Sequence, residues 1–284
     1  MLFALAATLQ QKGALNLPTI SLADPMSLLR LVGQRTWLIG TVVLAAGYVF
    51  QAGALDRGRL SVIQPLLVSS VVFVLPLGYL LTSQLVGRRE VLGAVAIVIG
   101  LSLFVYFGDP AGGNSTASNG QWAITISVFS LLCVLTIVFG GRAGGLSRRA
   151  AVYGTVAGVL FGLSSSLAMP TLVYLHESVR TMLTHWECYA LAVVGVLAFV
   201  IQQVSLGTGR LAAAVATVSV ANPVVAVLIG VVVLDERLSR PAWHIVVAVV
   251  GLGLTFVGAI VISLAREDAH PAVADPAGAS AETV

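Results

Sequence analysis

Residues 219–241 read SVANPVVAVLIGVVVLDERLSRP, and this stretch decides the class of fold. It is apolar until it reaches the charged residues DER at 235–237, yet it contains the helix-breaking pair Asn222-Pro223. Inside a bilayer, a proline is tolerated in a helix where neighbouring helices or side chains satisfy the carbonyl that it frees. The stretch therefore predicts a membrane-spanning helix that Asn222-Pro223 loosens on the side facing other helices. The charges mark its exit into water.

The composition of the whole chain agrees with a membrane solvent. The 284 residues are 58% hydrophobic and 10% charged, with a mean hydropathy of +0.99, whereas a soluble domain has about 25% charged residues. Apolar runs of about 18 or more residues indicate spanning helices. We predict an all-α polytopic membrane protein of nine or ten helices, with nine apolar segments at 1–17, 36–55, 60–83, 89–107, 121–139, 151–172, 188–206, 211–234 and 242–264.

The basic residues of the loops predict the orientation. Cytoplasmic loops of membrane proteins carry an excess of Lys and Arg. With nine spans, one side holds Lys12, Arg30, Arg35, Arg88, Arg89, Arg142, Arg148, Arg149, Arg210 and Arg266, and the other holds Arg57, Arg59, Arg180, Arg237 and Arg240. This bias predicts a multi-pass protein of the inner (plasma) membrane with its C-terminus in the cytoplasm. Because the charge excess has this origin, we expect no nucleic-acid partner.

The polar segments divide the chain. Residues 18–35 are too polar for a full span and favour a short interfacial helix over 26–33; if they did span, a tenth helix would result and only the N-terminus would change sides. Residues 108–120 read as a flexible loop, and the tail at 265–284 as disordered. We expect a first repeat at 1–107, a loop and linking helix at 108–140, and a second repeat at 150–264.

An internal repeat underlies that division. LFALAATLQ at 2–10 resembles LFGLSSSLA at 160–168, an offset of 158, and ALDRGRL at 54–60 resembles SLGTGRL at 205–211, an offset of 151. SVIQP at 61–65 also matches SVANP at 219–223, at the larger offset. Because four helices plus one linking helix make an odd number, the second copy enters the bilayer inverted. Inverted repeats are typical of secondary transporters, whose site lies near the midplane between the halves. Pairs at the offset of 151 include Arg59/Arg210, Arg89/Arg240, Gly100/Gly251, Leu101/Leu252 and Leu103/Leu254.

In the second half, Pro223 precedes Glu236 by thirteen residues, and a final helix with spaced glycines follows (Gly251, Gly253 and Gly258). This arrangement resembles the EamA-type pattern of the drug/metabolite transporter superfamily. The first half matches less closely, with Gln84 where an acid is expected. QQKG at 10–13, VIQPL at 62–66 and the nine-span plan look more like the NIPA-type magnesium-transporter branch. The resemblance implies nine or ten helices in inverted halves and transport of a small solute, without implying which one.

Polar side chains within the spans supply the candidate substrate-binding residues, because such groups face the bundle interior or a cavity. The pair Gln51/Gln202 is equivalent at the offset of 151, and the pair Thr8/Ser166 at 158. The alternative is simple interhelical hydrogen bonding, worth about 0.6 kcal/mol per bond. A run of glycines at 154, 158 and 162 indicates close helix packing instead. The predicted substrate-binding residues are Gln51, Gln64, Ser69, Gln202, Gln203, Asn222, Gln10, Thr8 and Ser166.

Other residue types narrow the function. No Asp or Glu lies near the middle of a predicted span, which argues against proton coupling through a membrane carboxylate and against a magnesium site. We expect no metal site, no cofactor and no enzymatic centre, and two inert thiols, Cys133 and Cys188. The tryptophans at helix starts, Trp37, Trp186 and Trp243, read as interfacial anchors.

We therefore predict a carrier of a small metabolite or drug-like solute that is uncharged, zwitterionic or amphiphilic. Its expected partners are that solute, the lipid bilayer and, as an open option, a second copy of the chain. Two alternatives stay open. One is a NIPA-like divalent-cation transporter, and the other is a membrane assembly factor or sensor that transports nothing.

Overall fold

The computed structural model describes residues 1–17, 20, 24–57, 70–82, 86–108, 117–140, 145–234 and 241–264. Every regular element in those ranges is helical. The elements are α1 (Leu2–Leu15), α2 (Pro25–Val32), α3 (Arg35–Arg57), α4 (Ser70–Thr82), α5 (Arg88–Gly108), α6 (Asn119–Leu135, continued by a π-helical turn over Thr136–Gly140), α7 (Leu146–Glu177), α8 (Val179–Thr184), α9 (Trp186–Gly207), α10 (Leu211–Val232) and α11 (Ala242–Leu264).

Six of these helices are long and apolar enough to cross a membrane: α5, α6 with its π turn, α7, α9, α10 and α11. They confirm the last six predicted spans. A seventh arises if α2 and α3, which meet at a bend of 77°, count as one span. α1 has 14 residues, or about 21 Å at 1.5 Å per residue, which is shorter than a bilayer core of about 30 Å. Most of the predicted segment 60–83 lies outside the described residues.

Helix ends follow capping chemistry more closely than apolar boundaries. α7 covers 146–177, about five residues beyond the predicted span at each end, because the helix continues through the polar residues on both sides of its apolar run. It ends at Ser178, whose hydroxyl accepts a hydrogen bond from the Thr181 backbone N–H and so begins α8. The predicted short helix near 26–33 is confirmed as α2. The Asp24 carboxylate caps it by accepting from the Met26 backbone N–H at 3.1 Å, and Pro25 suits its first turn.

The most extensive packing joins α5 to α11 through glycines. A Cβ added at Gly93 would lie 2.7 Å from the Gly258 carbonyl oxygen, and one at Gly258 would lie 2.6 Å from the Gly93 carbonyl oxygen. The same mutual approach joins Gly100 and Gly251. Gly93, the earlier glycine of α5, meets Gly258, the later glycine of α11, and Gly100 meets the earlier Gly251. The two helices therefore run antiparallel. Only glycine permits this separation, because any side chain would strike a backbone carbonyl.

α7 is the central helix of the C-terminal group. It packs on α10 through Gly154, Gly158 and Gly162, where an added Cβ would collide with α10 atoms, so the predicted close packing of this glycine run is confirmed. The Asn222 carbonyl oxygen lies against Gly162, so the Asn222-Pro223 stretch faces another helix, as predicted. α7 also packs along α9, where the Ser205 hydroxyl donates to the Ala150 carbonyl at 2.7 Å.

In the N-terminal group, α1 packs antiparallel on α3. Gly40 approaches the α1 backbone at Ala6 and Gln10, and Gly13 approaches Trp37. α1 also contacts α4, α9 and α10. One apolar cluster includes Ala4 and Val74 of this group together with Leu206 and Leu211. The N-terminal helices therefore meet the C-terminal ones through α1, through the packing of α4 on α10, and through the α5/α11 pair.

Candidate functional site

A closed ring of hydrogen bonds joins α1, α3 and α9. The Trp37 Nε1–H donates to Gln203 Oε1 at 2.8 Å, and Gln203 Nε2 donates to Gln10 Oε1 at 3.3 Å. Gln10 Nε2 donates to the Thr41 hydroxyl at 3.3 Å, and that hydroxyl donates to the Trp37 carbonyl at 3.0 Å. Since α1 and α3 belong to the first predicted half and α9 to the second, this amide ring connects the two halves.

Three of the four members of the amide ring are buried, and Thr41 is partly buried. Gln10 and Gln203 are each 1% exposed, and Trp37 is 8% exposed. Beside it, Gln11 is fully buried and its Nε2 donates to the Leu206 carbonyl of α9 at 3.4 Å. A buried amide left unpaired costs about 1–3 kcal/mol, so each glutamine depends on its partners across the halves. The ring is a packed contact in this conformation, not an open cavity.

The amide ring lies towards one end of the helices. Gln203 is four residues before Gly207, the last residue of α9, and is therefore about 10 Å along the axis from the middle of that helix. Trp37 lies in the first turn of α3, and Gln10 lies in the C-terminal half of α1. We predicted a site near the midplane of the helices; the amides that the structure brings together lie closer to the ends of α1 and α9.

The hydroxyl candidates bond within their own helices. Thr8 donates to the Ala4 carbonyl at 2.8 Å, and Ser166 donates to the Gly162 carbonyl at 3.0 Å. Both side chains are buried. A hydroxyl that bonds back to the carbonyl four residues earlier satisfies its donor locally. In this conformation Thr8 and Ser166 therefore fill helix packing and leave no donor for a solute.

Two further predicted residues hold free amides. Gln202 and Asn222 are half-buried, and the side chain of neither has a hydrogen-bond partner among the residues that the structure describes. Gln202 adjoins Gln203 in sequence but forms no hydrogen bond with the amide ring. The structure thus separates these two from Gln10 and Gln203. Gln64 and Ser69, and the side chain of Gln51, lie outside the described part of the chain.

Two members of the amide ring, Trp37 and Thr41, were not predicted as site residues. We predicted that Trp37 anchors α3 at the interface, and this is wrong: the indole is buried against α9 and stacks at a tilt on Phe199, 6.1 Å between ring centroids. The other two predicted anchors, Trp186 and Trp243, are exposed at their helix starts. The only sequence signal was the spacing of Trp37 and Thr41, which places both on one helical face.

The opposite end of α9 has a different polar character. Glu187 lies in its first turn and is 4% exposed, and its Oε2 accepts no hydrogen bond from any described residue. Nearby, Trp186 donates through Nε1 to Asn119 Oδ1 of α6 at 3.1 Å and packs edge-on against Trp122. The N-terminal end of a helix favours a negative charge, which accounts for an acid there.

Metal-binding residues do not cluster in the described ranges. No group of three or more His, Cys, Asp or Glu residues there is arranged to hold an ion. Cys133 and Cys188 are both free thiols.

Comparison with known proteins gives one relative and no function. An uncharacterized protein of Corynebacterium glutamicum is 27% identical over 286 aligned positions, covering 96% of this chain and 96% of its own length. No protein family model matches the chain, and no solved structure matches it. The described chain is thus an all-helical protein with six or seven candidate membrane-spanning helices.

Proposed function

We propose that this protein is a membrane transporter of the drug/metabolite transporter type that moves a small solute by alternating access between two inverted halves. The solute is uncharged, zwitterionic or amphiphilic. The halves are α1, α3, α4 and α5 on one side and α7, α9, α10 and α11 on the other, with α6 as the linking helix. In such a carrier, the halves rock about a site between them and expose it to each side in turn.

One observation carries this proposal: the mutual contact of Gly100 and Gly251. These residues are equivalent at the repeat offset of 151, and each is the other's near neighbour across the antiparallel α5/α11 pair. Under a twofold axis that exchanges the halves, a contact between equivalent residues maps onto itself. The same exchange takes Gly93 to position 244 and Gly258 to position 107, so the contact of Gly93 with Gly258 predicts a matching contact between positions 244 and 107. The centroids of the Phe107 and His244 rings lie 5.4 Å apart. Antiparallel equivalent helices are what an inverted repeat requires.

The amide ring supplies a second line of support. Alternating access needs the halves to close at one end while they part at the other. Gln10, Trp37 and Gln203 join the halves close to one end of α1 and α9, with water excluded. We infer that the amide ring is the closed gate of this state, so that opening it exchanges amide-to-amide bonds for bonds to water.

A thermal-shift screen followed by flux measurements tests the function. Purified protein is heated with metabolites, drug-like compounds and divalent cations, because a ligand that binds the folded state raises the unfolding midpoint. Compounds that raise it are then loaded into proteoliposomes. We expect at least one small organic solute to raise the midpoint and to equilibrate faster than in empty liposomes.

The two alternatives are outcomes of the same experiment. A midpoint raised by Mg²⁺ alone, with Mg²⁺ flux, would favour a divalent-cation carrier. Binding without flux of any tested solute would favour a sensor or assembly factor. Gln51→Ala and Gln202→Ala are the variants that test the predicted substrate amides; a full solute-induced shift in both would remove these residues from the site.

A further inference from the structure

Helix α2 lies across the end of the bundle that holds the amide ring. Its axis makes an angle of 77° with that of α3. α3 has 23 residues, or about 35 Å, which exceeds a bilayer core of about 30 Å without any help from α2. A bundle that crosses a bilayer along α3 therefore holds α2 close to the membrane plane.

One face of α2 is fixed to the rest of the protein. Ser27 and Leu31 are buried. Leu31 belongs to the same apolar cluster as Trp37 of the amide ring and Val204 of α9. The position of α2 is thus tied by packing to the junction that carries the amide ring.

The opposite face of α2 is apolar and exposed. Met26, Leu29 and Val32 are 56%, 62% and 53% exposed. At about 100° per residue, Leu29 points away from the buried pair Ser27 and Leu31. A short helix in the membrane plane can bury such a face at the boundary between headgroups and acyl chains, whereas in water three large apolar side chains would stay uncovered.

Three cations lie at the junction of α1, α2 and α3. Arg30 lies on α2, Arg35 begins α3, and Lys12 precedes Gly13, which packs against the first turn of α3. All three charged side chains are exposed, and none forms an ion pair with a residue that the structure describes. Asp24, the acid at the start of α2, caps that helix. Basic residues beside an interfacial helix attract anionic headgroups.

The size of the exposed face favours lipid over a protein partner. α2 has eight residues, so its outer face is about 12 Å long and about 10 Å wide. A stable protein interface buries about 800 Å² on each partner, and a face on the order of 100 Å² falls far short of that area. A bilayer has no such requirement, because it already surrounds the bundle.

We propose that α2, together with Lys12, Arg30 and Arg35, is a binding surface for anionic phospholipids. The three cations bind the headgroups, and the exposed apolar side chains of α2 lie among the upper parts of the acyl chains. Because Leu31 packs with Trp37, lipid bound here stabilises the junction that carries the amide ring. This inference goes beyond the proposed transport and does not depend on it.

Unfolding midpoints in the presence of lipid test the role of the charges. The full chain is purified in an uncharged detergent and heated with increasing phosphatidylglycerol or phosphatidylcholine, because a ligand of the folded state raises the unfolding midpoint. We expect a rise with phosphatidylglycerol and almost none with phosphatidylcholine. In Lys12→Gln/Arg30→Gln/Arg35→Gln, the phosphatidylglycerol concentration that gives half of the rise should increase on the order of a hundredfold, since each basic residue near an anionic surface contributes about fivefold.

The matched control removes three positive charges elsewhere. It combines Arg148→Gln and Arg149→Gln at the start of α7 with Arg180→Gln on α8, and it should respond to phosphatidylglycerol as the unchanged protein does. An equal loss in the two triple variants would mean that the lipid responds to net charge alone, and would overturn the inference. A lack of any response in the unchanged protein would overturn it as well.

Fluorescence quenching tests the placement of α2. In a Cys133→Ala/Cys188→Ala background, Leu29→Cys carries a small fluorophore in nanodiscs that contain phosphatidylglycerol, and the quenchers are lipids brominated near the headgroup or near the chain ends. Leu131→Cys, on the exposed side of α6 near its middle, is the reference. We expect the shallow bromines to quench position 29 more strongly and the deep bromines to quench position 131 more strongly.

Two other results would overturn the inference. Quenching of position 29 by aqueous iodide alone would mean that this face of α2 meets water. Protection of position 29 from every quencher would mean that another protein surface, such as a second copy of the chain, covers it.

Discussion

α1 and α7 share a sequence pattern but not an environment. Both pack on two helices of their own half, α1 on α3 and α4 and α7 on α9 and α10. α1 also contacts α9 and α10 of the second group, whereas no comparable contact joins α7 to the described residues of α3 or α4. The packing of each helix within its own group thus follows the shared pattern, and the contacts between the groups do not.

The largest effect is expected where the comparison is anchored, at the α5/α11 contact. Gly100→Ala would drive a methyl group into the α11 backbone at Gly251. Overpacking of this kind costs about 1–3 kcal/mol, so we expect a clearly lower unfolding midpoint, measured by thermal denaturation in detergent. Gly253→Ala is the matched control on α11, because an added Cβ there meets no atom within 4 Å.

The control should be neutral or slightly stabilising, since alanine favours a helix over glycine by about 1 kcal/mol. Equal unfolding midpoints for Gly100→Ala and Gly253→Ala would mean that Gly100 does not closely contact α11. The two halves would then lose the contact between equivalent residues on which their relation is based.

The next effect in size concerns the amide ring. Gln203→Leu removes the acceptor of the Trp37 N–H and the donor to Gln10, leaving buried polar groups unpaired at about 1–3 kcal/mol. We expect a lower unfolding midpoint than in Gln202→Leu, whose half-buried amide bonds to no described residue. If Gln202→Leu destabilises as much as Gln203→Leu, the ring has no special role.

The smallest effect is expected from metal removal. Because no metal-binding cluster occurs in the described ranges, addition of a chelator should leave the unfolding midpoint within about 1 °C. The same protein in buffer with sodium chloride of matched ionic strength controls for the salt that the chelator adds. A drop of several degrees that Mg²⁺ reverses would revive the divalent-cation alternative.

Much of the helical plan could be predicted from the sequence. Long apolar runs located α5, α6, α7, α9, α10 and α11, because only a spanning helix needs about 20 apolar residues in succession. The ends of α7 could not be predicted from apolarity, since a helix continues wherever backbone caps and polar helix formers allow. The sequence pattern located α1, α2 and α3 to within a few residues at their N-terminal ends. The angle of 77° between α2 and α3 could not be predicted, because it depends on packing.

The candidate site was predictable in part. Gln10 and Gln203 were identified because polar side chains within spans face the bundle interior or a cavity. The structure shows that they bond to each other, and their role in substrate binding stays a prediction. Trp37 was missed because a tryptophan at a helix start has the same sequence appearance whether it faces lipid headgroups or a neighbouring helix. The rotation of each helix about its long axis decides which amides meet and which, like that of Gln202, have no partner among the described residues. The sequence pattern indicates this rotation only weakly.

The glycine contact between α5 and α11 has a mechanical consequence. Under the proposed twofold relation, Gly100 and Gly251 lie on the axis that exchanges the halves, where displacement during rocking is smallest, and would serve as a fulcrum. Because neither residue has a side chain, the two backbones meet directly there, with the Thr255 and Leu103 side chains packed beside them. This close backbone contact would then also be the point about which the halves turn.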